Sequence, residues 1–196
     1  MIKGLDTVSN VSAIATTLKS QGYDFVIRYY SDSANSKRMT TAESQAIKSD
    51  GLKRVVVYQN RHNCYADFTE EKAASNVSDA IGQAKSMGQP SSVIYFAVDY
   101  DASESEIDAN ITTYFRIVQE RLSLAGYGVG VYGSSLVCKK LKENLSIGHT
   151  WLAMSTGWGY GTTFNDWNIH QTRAVSINNI DFDENEATNI YRLGAW

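Results

Sequence analysis

Val93-Ile94-Tyr95-Phe96-Ala97-Val98-Asp99-Tyr100-Asp101 is an apolar run that delivers two carboxylates in quick succession. A continuous run of this kind reads as a strand buried on both faces, the pattern of a parallel sheet covered by helices. Residues two apart on a strand share a face, so Asp99 and Asp101 are expected to project together into one site. Taken alone, either carboxylate also suits a turn or a helix cap, because Asp accepts hydrogen bonds from nearby backbone amides. The surrounding segments decide between these readings.

Upstream, Gly4-Leu5-Asp6-Thr7 ends a short strand, and Val11, Ile14, Ala15 and Leu18 recur at helical spacing until Gly22. Asp24 to Tyr30 is a second strand, followed by a helix opened by Thr40-Thr41-Ala42-Glu43 and closed at Gly51. Arg54 to Gln59 is a third strand, and its helix carries Ala73, Ala74, Val77, Ala80, Ile81 and Ala84 on one stripe. After the opening stretch, Ser103-x-x-Glu106 caps a helix whose buried face is Ile107, Ile111, Tyr114, Phe115, Val118 and Leu122. Tyr127 to Tyr132 is a fifth strand, leading into a helix over roughly residues 134 to 145.

Beyond that point the pattern changes. Trp151 to Met154, Trp167 to Gln171 and Ile177 to Phe182 read as three strands without helices between them, with a last short helix from Glu184 to Arg192. Five strand-helix units and three further strands imply an α/β fold, an irregular TIM-like barrel spanning residues 1–196 as a single domain. The rival is a doubly wound open sheet. It lacks its usual support here, since no Gly-x-Gly-x-x-Gly turn follows the first strand and there is no phosphate loop.

Composition narrows the chemistry. With 196 residues, 43% of them hydrophobic, the chain can bury a large core. Its 18 basic and 21 acidic residues give a net charge of −3 with no basic run, which argues against a nucleic-acid partner. No apolar stretch reaches the roughly 18 residues of a membrane span, and Met1 to Asp6 enters structure without a signal-like leader. The expectation is a chain made in the cytoplasm, with no membrane insertion, that reaches a periplasmic or extracellular target by lysis or a specialised secretion machine. Cys64 and Cys138 are expected to be free thiols, and the scattered His62, His149 and His170 lack zinc-site spacing, so neither a metal nor another cofactor is expected. Gly133-Ser134-Ser135-Leu136-Val137 is not a nucleophile elbow, because the second glycine is missing.

In a parallel barrel the ligand face lies at the carboxyl ends of the strands. Asp6, Arg28, Tyr58, Gln59, Asp99, Asp101, Tyr132, Trp151, Gln171, Asp181 and Asp183 all fall in or next to that position. Acids at the ends of strands one, four and eight converge on closure, since strands one and eight become neighbours and strand four faces them. Carboxylates ringed by Tyr and Trp suit glycoside hydrolysis, in which one acid donates a proton and another stabilises an oxocarbenium-like transition state. Crowding of like charges keeps a proton on one member, and aromatic faces stack on sugar rings, with Trp151, Trp158 and Trp167 as candidates.

The ordered set Gly-Leu-Asp6, Phe-Ala-Val-Asp99-x-Asp101, Gly-Val-Tyr132-Gly, Trp151-Leu-Ala, His170-Gln171 and Ile-Asp181-Phe-Asp183 resembles the glycoside hydrolase-like domain family related to family 25 muramidases. The resemblance covers nearly the whole chain. It implies a barrel of five strand-helix units followed by three strands, and cleavage of peptidoglycan between N-acetylmuramic acid and N-acetylglucosamine. Carried over by motif, Asp6, Asp99, Asp101 and Asp181 are the catalytic set, with Asp101 in the place of the glutamate that serves as general acid. Arg28, Tyr58, Gln59, Tyr132, Trp151, Gln171 and Asp183 are then expected to contact substrate.

The muramidases carry Glu where this chain has Asp101, one methylene shorter. Three outcomes follow: the backbone moves inward, another carboxyl such as Asp32 or Glu104 takes over, or the domain binds glycan without cleaving it. The expected function is a lysozyme-like cell-wall hydrolase, as in a phage lysin or an antibacterial effector with an immunity protein and secretion or lysis machinery as partners. The alternatives are a catalytically silent glycan-binding barrel, or a barrel hydrolase acting on another glycan or on the stem peptide.

Overall fold

The computed structural model describes every residue of the chain except Ser33 and Tyr160. Eight strands close into a barrel in chain order: β1 (Ile2–Asp6), β2 (Phe25–Tyr30), β3 (Lys53–Tyr58), β4 (Val93–Ala97), β5 (Gly128–Gly133), β6 (His149–Leu152), β7 (Ile169–Ile177) and β8 (Ile180–Ala187). Neighbours from β1 to β7 are parallel, whereas β8 runs antiparallel to both β7 and β1. The irregular α/β barrel expected from the sequence is the fold observed.

Helices follow the first five strands: α1 (Ala15–Ser20), α2 (Thr41–Ser49), α3 (Glu70–Ser86), α4 and α5 (Ser135–Leu145). Helix α4 starts at Glu104–Glu106, passes through a π-helical turn at Ile107–Ile111 and continues as Thr112–Leu124. Side-chain oxygens of Thr40, Thr69, Ser103 and Ser134 each accept an amide of the first turn, satisfying donors that a helix start leaves free. Ser103 and Glu106 form the reciprocal capping box read from the sequence. Thr40 and Glu43 do so only by half, because the Glu43 carboxylate turns away to Arg28 and to the Val11 amide.

Strand alternation divides the core into two layers. Phe25, Ile27, Val55, Val57, Val93, Tyr95, Ala97, Trp151, Ile169 and Ala187 fill the barrel interior. The intervening residues, among them Val26, Tyr30, Val56, Tyr58, Ile94 and Phe96, pack outward against the helices. Two glycines make room for aromatic rings: a Cβ on Gly4 would lie 2.3 Å from the Phe25 ring, and one on Gly130 2.5 Å from Tyr95. At the amino-terminal end of the barrel the last residues form a plug. Leu193 is fully buried, its carbonyl accepts the Tyr95 hydroxyl, and Trp196 exchanges backbone hydrogen bonds with Arg54 while the guanidinium lies 3.6 Å over its ring.

The C-terminal strands depart from the sequence expectation. Ile177 to Phe182 is not one strand: Asn178 and Asn179, with φ of 51° and 61°, form a two-residue turn between β7 and β8. Asn tolerates this left-handed region, so an Asn-Asn pair turns a hairpin tightly. The expected helix from Glu184 to Arg192 is corrected likewise. Glu184 to Ala187 complete β8, and only Ile190–Arg192 form a short 3-10 turn.

Candidate active site

At the carboxyl ends of the parallel strands lies a cavity of about 140 Å³, lined by Asp6, Tyr29, Gln59, Asp99, Tyr132, Trp151, Gln171 and Asp183, with Val57 and Ala97 at its base. It continues the inward-facing rows of the strands. Val93, Tyr95 and Ala97 point into the barrel, and Asp99 follows them at the same parity although the ladder ends at Ala97. The Asp99 amide donates to the His62 carbonyl at 2.8 Å, which holds the turn against the loop after β3. Its carboxylate accepts Gln59 Nε2 at 2.9 Å.

Across the barrel, β1 and β8 bring Asp6 and Asp183 into register as antiparallel partners. Gln171 Nε2 donates to both carboxylates, at 3.0 Å to Asp6 and 3.1 Å to Asp183. Asn185 Nδ2 donates to Asp6 Oδ2 at 2.7 Å, and Asn185 Oδ1 in turn accepts Trp151 Nε1 at 2.8 Å. Tyr132 donates its hydroxyl to Gln171 Oε1 at 3.1 Å and packs its ring 4.5 Å from that of Trp151. Gln171 donates to the two carboxylates and accepts from Tyr132, while Asn185 donates to Asp6 and to the Asp183 main-chain carbonyl and accepts from the Trp151 indole, so both amides are fixed in orientation.

Burial pushes the Asp6 carboxyl up to about 7, against the lowering pull of the Asn185 and Gln171 donors and with repulsion from Asp183 and Asp99 adding to it. Both amide donors take Oδ2, and neither reaches Oδ1. Burial raises Asp183 as well. The wall of the cavity thus carries a carboxyl, Asp6, whose proton affinity is raised toward neutral pH, the condition general acid catalysis requires, with Asp183 shifted in the same direction.

Seven of the expected site residues come together here: Asp6, Gln59, Asp99, Tyr132, Trp151, Gln171 and Asp183. Four do not. Arg28 faces the helix layer, where it pairs with Glu43 at 2.6 Å and donates to the carbonyls of Thr7 and Lys37, leaving its guanidinium occupied. Tyr58 also points outward, with its hydroxyl on Asp79 and Asn76 and its ring stacked on Phe96. Asp181 is exposed above the mouth beside the hairpin turn, and its carbonyl accepts the Thr7 hydroxyl. Asp101 lies outside the cavity, and its Oδ1 accepts the Gly159 amide at 2.9 Å, tying the end of β4 to the loop between β6 and β7. Of the remaining alternative acids, Asp32 is exposed beyond the second strand and Glu104 pairs with Lys140 at the start of α4.

Three residues belong to the site that the sequence reading missed. Tyr29 lines the cavity in the row of Phe25 and Ile27, and Asn185 anchors Asp6 from β8. Lys37, in the loop after β2, places its ammonium 4.9 Å over the Tyr29 ring and 3.3 Å from Gln59 Oε1. Strand parity would have found Tyr29. Reading Asn185 as helical hid it, and no local pattern marks Lys37.

The model of the Rv2525c-like, glycoside hydrolase-like domain matches residues 16–193. The uncharacterized protein FadG of Bacillus subtilis is 29% identical over 187 residues, which cover 89% of this chain and 32% of FadG. The chain thus spans about a third of the length of that relative. Among solved structures, the Tat-secreted protein Rv2525c of Mycobacterium tuberculosis, in complex with L-tartrate, superposes with a TM-score of 0.84 at 21% identity, covering 99% of this chain and 98% of its own. The modular autolysin LytC of Streptococcus pneumoniae, in complex with a synthetic peptidoglycan ligand, gives a TM-score of 0.67 at 14% identity over 94% of this chain and 46% of LytC. The fold is therefore shared with an autolysin, and the family assignment follows from the match across nearly the whole sequence: this chain belongs to the Rv2525c-like, glycoside hydrolase-like domain family.

Proposed function

We propose that this domain hydrolyses a glycosidic bond of bacterial cell-wall glycan in the cavity between Asp6, Asp99 and Asp183. The observation that carries the reading is the shared Gln171 donor, which holds two carboxyls with raised proton affinity side by side, facing Asp99 across an aromatic-walled pocket. The Asp6–Asp183 pair supplies a proton to the leaving glycosidic oxygen as the C–O bond breaks. Asp99, oriented by Gln59, stabilises the positive charge that develops on the sugar ring. Water then adds to the anomeric carbon and returns its proton to the pair. Tyr29, Tyr132 and Trp151 supply the faces against which the sugar packs.

Asp101 has a different part in this scheme. Bound to the Gly159 amide, it clamps the loop between β6 and β7 rather than donating the proton. The choice of substrate draws on the family description and on LytC, whose structure carries a peptidoglycan ligand. Action on the cell wall places the reaction outside the cytoplasmic membrane, in keeping with the Tat-secreted Rv2525c. A second reading, a glycan-binding barrel without hydrolysis, is favoured by one observation, the engagement of Asp101 with backbone. Release of reducing ends from purified peptidoglycan, with mass spectrometry of the fragments, separates the two. Fragments cut at a sugar-sugar bond support hydrolysis; retention of the protein on intact polymer with no new reducing ends supports binding alone, and new amines without reducing sugars indicate cleavage of the stem peptide.

A further inference from the structure

A second cavity, of about 230 Å³, opens beside the first and is lined by Asp32, Asn60, Arg61, His62, Asp67, Lys72 and Asn76. The two are separated by consecutive residues of the loop after β3: Gln59 belongs to the wall of the first and Asn60 to that of the second. Lys37 sits at this junction. Its Nζ donates to Gln59 Oε1 at 3.3 Å and to the Asn60 carbonyl at 3.2 Å, and lies over the ring of Tyr29. Among the described residues no carboxylate stands within 4.0 Å of it, in contrast to Lys72, which pairs with Asp67 at 2.8 Å.

A half-buried ammonium held by neutral acceptors and an aromatic face has lost part of its hydration without gaining an anion. Burial accordingly pulls its proton affinity down, with Asp99 and Asp32 pulling the other way. An ammonium has three donors, and two of these are spent on Gln59 and Asn60, so one remains for a ligand. In the second cavity's lining Lys72 is paired with Asp67, and the exposed Arg61 stands against the exposed Asp32.

We infer that Lys37 is a specificity-determining contact for a carboxylate carried by the bound glycan: the reacting sugar occupies the first cavity and its acidic substituent crosses Lys37 into the second. This rests on the glycan-binding reading of the first cavity and deepens it, since it names an acidic rather than a neutral saccharide as the ligand. The carboxylate has three chemical sources, a free lactyl ether on a muramic acid stripped of its peptide, a uronic acid, or an acidic residue of an attached stem peptide.

Binding of soluble oligosaccharides to the whole protein, measured by calorimetry at low salt, tests this without relying on turnover. The probes are a neutral chitooligosaccharide, a matched oligomer with free muramic acid, the same oligomer bearing a dipeptide stem, and an oligouronate. The wild type is expected to bind at least one acidic probe about tenfold more tightly than the neutral one, the scale of one charge-assisted hydrogen bond. Lys37→Gln is expected to reduce that ratio to near one and Lys37→Arg to preserve it, with thermal melts confirming that both variants fold. Equal binding of neutral and acidic probes by the wild type, or an undiminished ratio in Lys37→Gln, overturns the inference while leaving the glycan reading standing. Failure of every probe to bind overturns the glycan reading and this inference with it.

Discussion

Asp6 and Asp183 are cross-strand partners on β1 and β8, and one amide nitrogen, Gln171 Nε2, donates to an oxygen of each at 3.0 and 3.1 Å. Burial raises the proton affinity of both carboxyls, and for Asp6 the Gln171 and Asn185 donors offset this only in part while repulsion from Asp183 adds to it. The consequences extend from stability to chemistry.

The first concerns stability against pH. Asp6 binds its proton more tightly in the folded chain, at about 7 against an ordinary value of 3.8. Its stabilising contribution is full below the unfolded value and is lost as pH rises through the folded one. Stability should fall on the order of 3 kcal/mol between about pH 4 and pH 7, with Asp183 adding in the same direction. Urea melts across this range check the slope, and Asp6→Asn should flatten most of it. A wild-type stability that rises with pH over the same window would show that Asp6 is ionised in the fold.

The second separates the carboxylates by function. Asp99→Asn and Asp183→Asn should each lower the rate of reducing-end release by about a hundredfold or more, the usual range for losing an acid or base group. Asp101→Asn removes the acceptor of the Gly159 amide and should cost less than about tenfold, mainly through weaker substrate binding by the released loop. Steady-state kinetics on a soluble cell-wall fragment reads this directly. A full loss of turnover in Asp101→Asn with unaltered substrate affinity would return the proton-donor role to Asp101.

A third tests what Arg28 does. Its guanidinium and the Glu43 carboxylate are both almost wholly buried and paired at 2.6 Å. Arg28→Met leaves Glu43 uncompensated and should cost about 3–5 kcal/mol, while Arg28→Met with Glu43→Leu should recover a large part of it. Denaturant melts of the three proteins measure the loss and its recovery. Substrate affinity in the folded double variant should stay within about twofold of the wild type, because neither side chain lines the cavity.

The barrel itself was legible because its signals are local. Apolar runs such as Val93 to Val98, stripes such as Ile107, Ile111 and Tyr114, and caps at Thr40 and Ser103 each arise within a few residues. Seven of the cavity's lining residues are named by their place at a strand end, but that place alone does not say which of two consecutive residues faces inward. Arg28 and Tyr58 stand one residue away from Tyr29 and Gln59, and side-chain period two sends one of each pair to the helices and the other to the cavity. Position near a strand end was read correctly; parity relative to Phe25 and Val57 was not applied. On β8 the error had a different source. Taking Asn178-Asn179 as strand interior hid the hairpin turn and turned Asn185 into a helical residue, while Asp181, carried over from the family motif, stands exposed two residues before Asp183. Asp99 and Asp101 were expected to share a face, but the ladder ends at Ala97 and the chain turns, so Asp101 meets Gly159 instead. That contact, like the placement of Lys37 beside Gln59, joins segments distant in sequence and has no local signature.

The central claim is that the scissile bond lies between Asp99 and the Asp6–Asp183 pair. A crystal structure of the Asp99→Asn protein with a bound cell-wall oligosaccharide tests it most directly. A sugar packed on Tyr132 and Trp151 is expected, with its glycosidic oxygen within hydrogen-bond reach, about 3 Å, of an Asp183 or Asp6 carboxyl oxygen. A saccharide whose glycosidic oxygen instead contacts Asp101, with the Asp6–Asp183 wall untouched, would contradict it.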